Sequence, residues 1–543
     1  MVSSLTFHVV LLAFAWGVVT FYFLSEEVNA ESIQPTRIKV VIDGSKCIAT
    51  VGDEFICATL DWWPPSKCDY GSCPWHNASI LSLDLENPIL EQAVKALAPL
   101  KIRLGGSLQD QIEYKIGSCP PLVKNTSDQF GFSAGCLSVQ RWDLLNHFFK
   151  KTGASVAFGL NALYGMSLNI SWDPSNAAEF IFYTHSHGYP VTAWELGNEL
   201  FGRNSPGATV SPKVYAHNVK MLHTIVDRIY KNDATKPLVI APDSFYEVGD
   251  LAYQTFLEEL GSNVVDVVTW HIYNLGPGST NATRLVESIL NHHANDGEET
   301  NYVGLQNLLG QYPWASAWVG EAGGAYNSGH GNVTDAFIFA FWYLDQLGLA
   351  SKHNTQAFCR QSLIGGHYGL LDATSFVPNP DFYGALLWKM LMGNNVLSVY
   401  ANSTDLRAYA HCQKTSTKGG VTVLLLNYSN MTSFSIDLSV LGQSNKSGAP
   451  LVKQRVVGQQ KSRASLESRD PLPQLEYHMS PEGGNILNRV VCLNGNPLRP
   501  TNLGDLPNLG DQAIIGSAPI ILKPLTYAFV VLQNCSAVAC ISS

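Results

Sequence analysis

The 543-residue sequence predicts an α/β protein, a (β/α)8 TIM barrel followed by a C-terminal β-sandwich domain. Three observations support this fold class. Residues 54–395 repeat a pattern of a short apolar run, a polar or glycine-rich break and a longer segment with helical periodicity. Nearly every short run ends in polar side chains, and after residue 396 the helical segments disappear. A chain of this length also usually folds as more than one domain.

Residues 1–30 are predicted to be a signal peptide. An apolar run from Thr6 to Leu24 is followed by Val28 and Ala30, small residues at the positions that signal peptidase requires. The run approaches the ~20 residues that span a bilayer and no Lys or Arg precedes it, so an uncleaved N-terminal membrane anchor is the alternative. After cleavage we expect no membrane span and a protein secreted or held in the lumen of the secretory pathway.

The barrel is predicted over residues 54–395, because eight candidate strands alternate there with helical segments. The strands are Glu54–Asp61, Leu100–Gly106, Ser155–Leu163, Thr192–Glu199, Leu238–Asp243, Val265–Tyr273, Ala315–Glu321 and Phe358–Tyr368. Helical segments between them include Pro88–Ala98, Val139–Lys151, Ser211–Lys231 and Ala336–Leu347.

Residues 396–543 are predicted to form the sandwich, since short strand-like runs alternate with turn residues. These runs are Val396–Ala401, Leu406–His411, Val421–Tyr428, Phe434–Leu438, Ala518–Leu522 and Tyr527–Gln533. The N-terminal segment 31–53 contains a further strand, Ile38–Val51. We expect it to pair into the same domain, which would make that domain discontinuous in sequence.

Polar side chains at the predicted strand ends indicate an active site, because the carboxyl ends of barrel strands meet at one mouth. The end residues are Asp61, Arg103, Asn161, Asn198, Glu199, Asp243, His271, Tyr273, Glu321 and Tyr368. Two of them are glutamates, on the fourth and seventh strands. Glycosidic hydrolysis requires one carboxylic acid to protonate the leaving oxygen and a second carboxylate at the anomeric carbon.

The fourth-strand motif reads Ala-Trp-Glu-Leu-Gly-Asn-Glu and ends at Glu199. Glu195 lies deeper in the barrel and is interpreted as a buried structural acid. Strict alternation would point Asn198 and Glu199 to opposite faces, so the backbone must turn if both serve the site, and Gly197 allows such a turn. The seventh-strand motif, Trp318–Tyr326, places Glu321 among glycines, where a sugar ring can approach closely.

Four segments resemble glycoside hydrolase family 79, which includes heparanase and plant heparanase-like β-glucuronidases. They are Trp194–Glu199, Thr269–Tyr273, Gly320–Tyr326 and Tyr368–Asp372, and the likeness covers nearly the whole mature chain. The resemblance implies that Glu321 is the nucleophile and that Glu199 is the acid/base, with a pKa raised by the charge of Glu321. A retaining pair would place the two carboxyls about 5–5.5 Å apart.

The resemblance also implies roles for the residues around the two acids. Asn198 would bind the sugar 2-hydroxyl, Tyr273 would hydrogen-bond the nucleophile and Asp61 would hold sugar hydroxyls. A uronic carboxylate would be received by Tyr326, Tyr368 and the backbone near Asn327 and Ser328. The function implied is a retaining β-glucuronidase acting on small glycosides or on the terminal glucuronic acid of glycans. The alternatives are an endo-β-glucuronidase of heparanase type and a non-catalytic carbohydrate-binding relative.

Charge and metal-binding patterns exclude several other classes. The net charge of −10 and the absence of any run of three basic residues argue against nucleic acid or an acidic polymer as partner. The sequence contains neither CxxC nor HExxH, so we predict no metal and no cofactor. The oligomeric state is left open.

Cysteines and sequons fit a secretory protein. The cysteine count is eleven, so at least one stays free or pairs between chains. Cys68 and Cys73 are predicted to form a local disulfide, and the family resemblance implies a Cys412–Cys540 pair. Charged residues are only 14% of the chain, and glycans would compensate for that low surface charge. The predicted glycosylation sites are Asn77, Asn125, Asn169, Asn281, Asn332, Asn402, Asn427, Asn430, Asn445 and Asn534.

Overall fold

The long strand β1 (Thr36–Thr50) lies near the start of the part of the chain that the computed structural model describes. That part is residues 34–541 without 167–170, 202–204, 417, 445–473, 502, 517–518 and 534. The predicted signal peptide lies outside it. In the described residues, no helix has both the length and the apolar character needed to cross a membrane.

Eight parallel strands close into a barrel within the described chain, in the order β10-β11-β2-β3-β6-β7-β8-β9, and β4 and β5 form a separate parallel pair. The predicted barrel is therefore confirmed. Its strands are buried on both faces, as parallel strands covered by helices must be. The bounds are β2 (Ile56–Asp61), β3 (Lys101–Gly105), β4 (Ile112–Lys115), β5 (Gly135–Ser138), β6 (Ser155–Leu160), β7 (Val191–Leu196), β8 (Leu238–Phe245), β9 (Val267–Ile272), β10 (Ser316–Ala322) and β11 (Thr355–Arg360).

The predicted position of the eighth barrel strand is wrong. β11 ends at Arg360, and the segment from Gln361 to Tyr368 forms a loop at the carboxyl end of the barrel. Gly365 and Gly366 have φ values of 103° and 68°, a left-handed backbone that no strand can contain. The polar residues Thr355 and Gln356 hide the true start of the strand from pattern analysis.

Nine α-helices lie in the described residues, and they include the four predicted ones with shifted ends. Two of those four begin with a capping side chain followed by proline: Asn87 accepts hydrogen bonds from the amides of Ile89 and Leu90, and Ser211 caps the helix that starts at Pro212. The helices are α1 (Pro88–Ala96), α2 (Val139–Thr152), α3 (Ser175–Ser186), α4 (Pro212–Ile229), α5 (Leu251–Leu260), α6 (Ala282–Leu290), α7 (His293–Leu309), α8 (Phe339–Lys352) and α9 (Pro380–Leu391).

The remaining strands form one eleven-stranded sheet among the described residues, and β1 lies in it between β12 and β15. Four of these strands, β16 to β19, were not predicted from the sequence. The later strands are β12 (Met392–Ala401), β13 (Leu406–Gln413), β14 (Val421–Asn427), β15 (Phe434–Leu441), β16 (Gln474–Pro481), β17 (Val491–Leu493), β18 (Asn496–Pro497), β19 (Ile514–Gly516), β20 (Ile520–Leu522) and β21 (Tyr527–Leu532).

The two faces of this sheet bury different cores. Along β14, Val423 and Leu425 face a cluster made by the sheet itself, whereas Leu424 and Leu426 join the cluster of the barrel helices. On the second face Phe337, next to α8, stacks on Tyr527 of β21 with ring centroids 5.5 Å apart. The sheet is therefore packed against the helical side of the barrel, away from the strand ends that carry the polar residues.

The described residues form four disulfides, which include both predicted pairs, Cys68–Cys73 and Cys412–Cys540. Cys57–Cys359 joins the neighbouring barrel strands β2 and β11, and Cys119–Cys136 ties the loop before β5. The cysteines left free are Cys47, Cys492 and Cys535.

Seven of the ten predicted glycosylation sites fall on described residues; Asn169, Asn445 and Asn534 lie outside them. Six side chains are exposed, those of Asn77, Asn125, Asn281, Asn332, Asn402 and Asn430. The prediction for Asn427 is wrong. This side chain is fully buried, and its Nδ2 donates to the carbonyls of Thr432, Leu522 and Lys523, so no glycan can be attached there in the folded protein.

Candidate active site

A cleft of about 610 Å³ opens at the carboxyl ends of the barrel strands. It brings together most of the residues predicted from the sequence. Those lining it are Asp61, Glu199, Tyr273, Glu321, Tyr326, Asn327, Ser328 and Tyr368. Asn198 lies beside them, and its Oδ1 accepts a hydrogen bond from Arg103 Nη2 at 2.9 Å.

Glu199 reaches the cleft because the chain turns immediately after β7. Gly197 has φ 72° and Glu199 has φ 55°, so strand alternation ends at Leu196. Three consecutive amides of the turn bond to neighbouring segments. The amide of Gly197 donates to Leu160 O at 2.8 Å, that of Asn198 to Asp110 Oδ2 at 2.9 Å, and that of Glu199 to Asp243 O at 2.8 Å. The expected turn at Gly197 is present, and Asn198 and Glu199 both face the site.

Glu321 lies near the end of β10, where the pairing with β9 shifts register between Val319 and Glu321. The irregularity at Gly320 aims the carboxylate into the barrel mouth. Two donors hold it: Arg103 Nη1 at 2.8 Å from Oε2, and the Tyr273 hydroxyl on Oε1. Gly323 gives the rings beside it room, since a Cβ there would lie 2.8 Å from Tyr273 Cε1. Each carboxylate oxygen of Glu321 therefore accepts one hydrogen bond, and the one from Arg103 is charge-assisted.

The two glutamates are close neighbours. A carboxylate oxygen of Glu199 and one of Glu321 lie within 4.8 Å of each other. Their side chains are only 8% exposed each. Retaining glycosidases hold their carboxyls about 5–5.5 Å apart, and inverting ones about 6.5–9.5 Å.

Arg103 is the cation at the centre of this site, and its side chain is 1% exposed. Besides Glu321 and Asn198, it contacts Glu195 Oε2 at 2.8 Å and Asp243. A buried charge needs such partners, because each carboxylate offsets part of its desolvation. The sequence marked Arg103 only as a strand-end residue. Glu195 is fully buried and ion-paired here, as expected for a structural acid.

His271 links the candidate acid to a second carboxylate. Its Nδ1 lies 2.7 Å from Glu199 Oε1, and its Nε2 lies 2.7 Å from Asp243 Oδ1. Burial opposes a charge on this ring, yet the charges of Asp243 and Glu321 and the hydrogen bonds raise the pKa of His271 well above its usual value. Burial and the charge of Glu321 raise the pKa of Glu199. The charge and hydrogen bond of His271 partly oppose this rise. A proton on Glu199 is what an acid catalyst needs.

His271→Asn is expected to move the basic limb of the pH profile of kcat/KM to higher pH. A general acid works in its protonated form, so, with Glu199 in that predicted role, activity would fall as pH rises through its pKa. His271 lowers that pKa by charge and hydrogen bonding, and a neutral side chain raises it further. The measurement is the pH dependence of kcat/KM on a glycoside with a poor alkyl leaving group, whose departure requires protonation.

The matched control is His411→Asn, another fully buried histidine, which lies in β13 and bonds to Gly393 O and to Ser351 Oγ of α8. Its pH profile should equal that of the wild type. A basic limb for His271→Asn that stays in place, or moves to lower pH, would contradict the assigned link between His271 and Glu199.

Asp61 presents a polar atom to the cleft. Its Oδ2 accepts a hydrogen bond from Gln361 Nε2 at 2.7 Å, whereas its buried Oδ1 has no partner among the described residues. Burial, helped by the charge of Glu321, raises the pKa of Asp61 to about 8. The carboxyl can thus stay protonated below that pH and donate as well as accept.

Of the predicted carboxylate-binding residues, Tyr326, Asn327 and Ser328 lie in the loop after β10, and Tyr368 lies in the loop after β11. Tyr326 and Asn327 are exposed, while Ser328 and Tyr368 are buried. Asn327 and Ser328 have φ values of 57° and 70°. The side chains of both bond to another loop: Asn327 Nδ2 donates to the Tyr70 hydroxyl at 3.0 Å, and Ser328 Oγ donates to Asp69. The sequence did not predict these contacts with the loop that contains Asp69 and Tyr70.

Glu199, His271 and Glu321 are close enough together to suggest a metal site. Their donor atoms are already used, however, because both ring nitrogens of His271 face carboxylates at 2.7 Å and Glu321 contacts Arg103. A metal ion would have to displace the buried Arg103 guanidinium and its hydrogen bonds. The geometry is that of two neighbouring acids, each hydrogen-bonded to other side chains of the site.

Comparisons with known proteins agree with this architecture. The chain is 45% identical over 526 residues to heparanase-like protein 2 of Arabidopsis thaliana, covering 93% of this chain and 95% of that protein. It is 37% identical over 512 residues to baicalin-β-D-glucuronidase of Scutellaria baicalensis, covering 90% of each. An arabinofuranosidase of family GH51 from Xanthomonas axonopodis pv. citri shares the fold, with a TM-score of 0.61, 13% identity and coverage of 92% and 100%.

The barrel, its paired acids and these relatives define a glycoside hydrolase. The model of the N-terminal domain of glycosyl hydrolase family 79 matches residues 37–348, which is more than half of the chain. This protein therefore belongs to glycosyl hydrolase family 79.

Proposed function

We propose that the protein is a retaining β-glucuronidase that works by double displacement. The observation that carries the proposal is the pair of buried glutamates that line one cleft, with carboxylate oxygens within 4.8 Å of each other. One of them, Glu321, is held by Arg103 and Tyr273 as an anion. The other, Glu199, has a pKa raised by burial and by the charge of Glu321, which favours the protonated form that an acid catalyst needs.

In the first step, Glu321 attacks the anomeric carbon while Glu199 protonates the departing glycosidic oxygen. The aglycone leaves and the sugar remains as an ester of Glu321. Glu199 is then ionised, and it takes a proton from water as that water attacks the anomeric carbon and releases Glu321. In this proposal, Asn198 binds the 2-hydroxyl and Asp61 binds other sugar hydroxyls.

The substrate proposed is a β-D-glucuronide, cleaved at a terminal glucuronic acid of a small glycoside or glycan. Tyr326, Tyr368 and the loop at Asn327 and Ser328 provide hydrogen-bonding groups for a uronic carboxylate. The similarity to a baicalin-β-D-glucuronidase supports this choice. Heparanase-type endo-cleavage is less well supported, because the chain has a net charge of −10 and binding of a sulfated polymer needs many basic contacts.

Secretion is part of the same proposal. Disulfides persist in oxidising compartments, and this chain forms four of them among its described residues. The six exposed sequons agree with passage through the secretory pathway.

The purified protein is expected to hydrolyse a chromogenic aryl β-D-glucuronide at mildly acidic pH, and to hydrolyse the matching β-D-glucoside far more slowly. The reason is that the hydrogen-bonding loop recognises the carboxylate, which the glucoside lacks. Equal rates on both substrates would contradict glucuronide specificity. Internal cleavage of heparan sulfate, with tight and salt-sensitive binding, would favour the endo-acting alternative.

A further inference from the structure

Lys67 is a cation in the cleft that the proposed mechanism does not use. Its Nζ lies 4.4 Å from the ring centroid of Trp63 and 2.9 Å from Asp69 Oδ1. The Lys67 side chain is 17% exposed and the Asp69 side chain 13%, so the pair is largely shielded from water. Among the described residues that line the cleft, Lys67 is the one Lys or Arg side chain.

Lys67 immediately precedes the small ring closed by the Cys68–Cys73 disulfide, and its partner Asp69 lies within that ring. This segment is also bonded to the loop after β10. Asp69 Oδ2 accepts a hydrogen bond from Ser328 Oγ, and Trp75 Nε1 donates to the same Ser328 oxygen at 2.8 Å. Lys67 is therefore held beside the loop that offers its hydrogen-bonding groups to a uronic carboxylate, and it has little freedom to move away.

The charge of Lys67 matters because the cleft around it is rich in carboxyl groups. The cleft is lined by six carboxyl residues: Asp61, Asp69, Glu199, Glu247, Glu298 and Glu321. A uronate brings another negative charge, and it would bind next to Asp69, whose carboxylate holds Ser328. Neutral hydrogen-bond donors alone would leave that repulsion uncompensated in a partly buried site.

We propose that Lys67 is a specificity-determining residue that selects the carboxylate of the glucuronic acid. Its ammonium group has three donors, so one can remain on Asp69 while another bonds to the substrate. The positive charge of Lys67 offsets the negative charge of Asp69. A uronate carboxylate that binds at Ser328 therefore meets less electrostatic repulsion. This inference rests on the proposed β-glucuronidase function and adds a residue to it.

The test compares Lys67→Met with Lys67→Arg on two substrates, an aryl β-D-glucuronide and its uncharged methyl ester. Methionine keeps the aliphatic packing on Trp63 without the charge. For Lys67→Met, we expect kcat/KM on the glucuronide to fall about 10- to 100-fold, the usual range for a hydrogen bond to a charged group, and kcat/KM on the ester to change little. Lys67→Arg should recover part of the loss on the glucuronide.

The control is Lys115→Met, which removes a half-exposed lysine paired with Glu113 away from the cleft. It should retain the wild-type preference between the two substrates. Equal losses on both substrates for Lys67→Met, or no loss on either, would overturn the role of Lys67. A wild-type protein that hydrolyses the glucuronide no faster than its ester would instead overturn the β-glucuronidase function, and the inference with it.

Discussion

Glu321→Gln is expected to lower kcat on every glucuronide by at least about 10⁴-fold, because an amide is not a useful nucleophile for the anomeric carbon. Glutamine keeps the size of the side chain and can still accept a hydrogen bond from Tyr273. Arg103 would retain Glu195 and Asp243 as partners. The variant should therefore fold and bind substrate. Steady-state kinetics and binding of an unreacted glucuronide measure these two properties separately.

The matched control is Glu54→Gln. Glu54 is also an ion-paired glutamate, 2.6 Å from Lys101 Nζ, but it precedes β2 at the opposite end of the barrel. Its activity should stay near that of the wild type. A Glu321→Gln variant that keeps more than a tenth of the wild-type kcat would show that another residue is the nucleophile.

Glu199→Ala is expected to have an effect that depends on the leaving group. General acid catalysis contributes about 10²- to 10⁴-fold, so kcat/KM on alkyl glucuronides with poor leaving groups should fall by that factor. Activated aryl groups depart with little protonation, and their kcat/KM should fall much less. Their kcat should still fall, because the second step loses its base.

Added azide provides a second measurement on Glu199→Ala. This small anion needs no deprotonation and can attack the sugar–Glu321 ester in the space that the missing carboxyl leaves. It should raise kcat on the aryl substrate and yield a glucuronosyl azide. Equal losses of kcat/KM on both leaving groups, with no response to azide, would mean that Glu199 is not the acid/base.

The parts of the fold that the sequence predicted are those governed by local patterns. Buried parallel strands appear as apolar runs. Helices such as α1 and α4 are preceded by a capping Asn or Ser and begin with proline. Glu199 and Glu321 were found because strand ends are visible in such patterns. The strands β17, β18 and β19 were missed because each is only two or three residues long, and β11 was misplaced because it begins with polar residues.

The parts that could not be predicted depend on long-range contacts. Arg103 and His271 were recognised as strand-end residues, but their ion pairs join strands that are distant in sequence. Asn427 matches a glycosylation motif, yet the folded sheet uses its amide as an internal donor. The role of Lys67 is proposed from hydrogen bonds between two loops. No periodic pattern in the sequence predicts such a contact.

The stereochemistry of hydrolysis tests the double-displacement mechanism most directly. Proton NMR of the anomeric region, recorded during the first minutes of cleavage of an aryl β-D-glucuronide, identifies the anomer released before mutarotation. Two successive inversions, first at Glu321 and then by water, must give β-D-glucuronic acid first. Initial release of the α-anomer would mean a single displacement by water, and would contradict the assignment of Glu321 as the nucleophile.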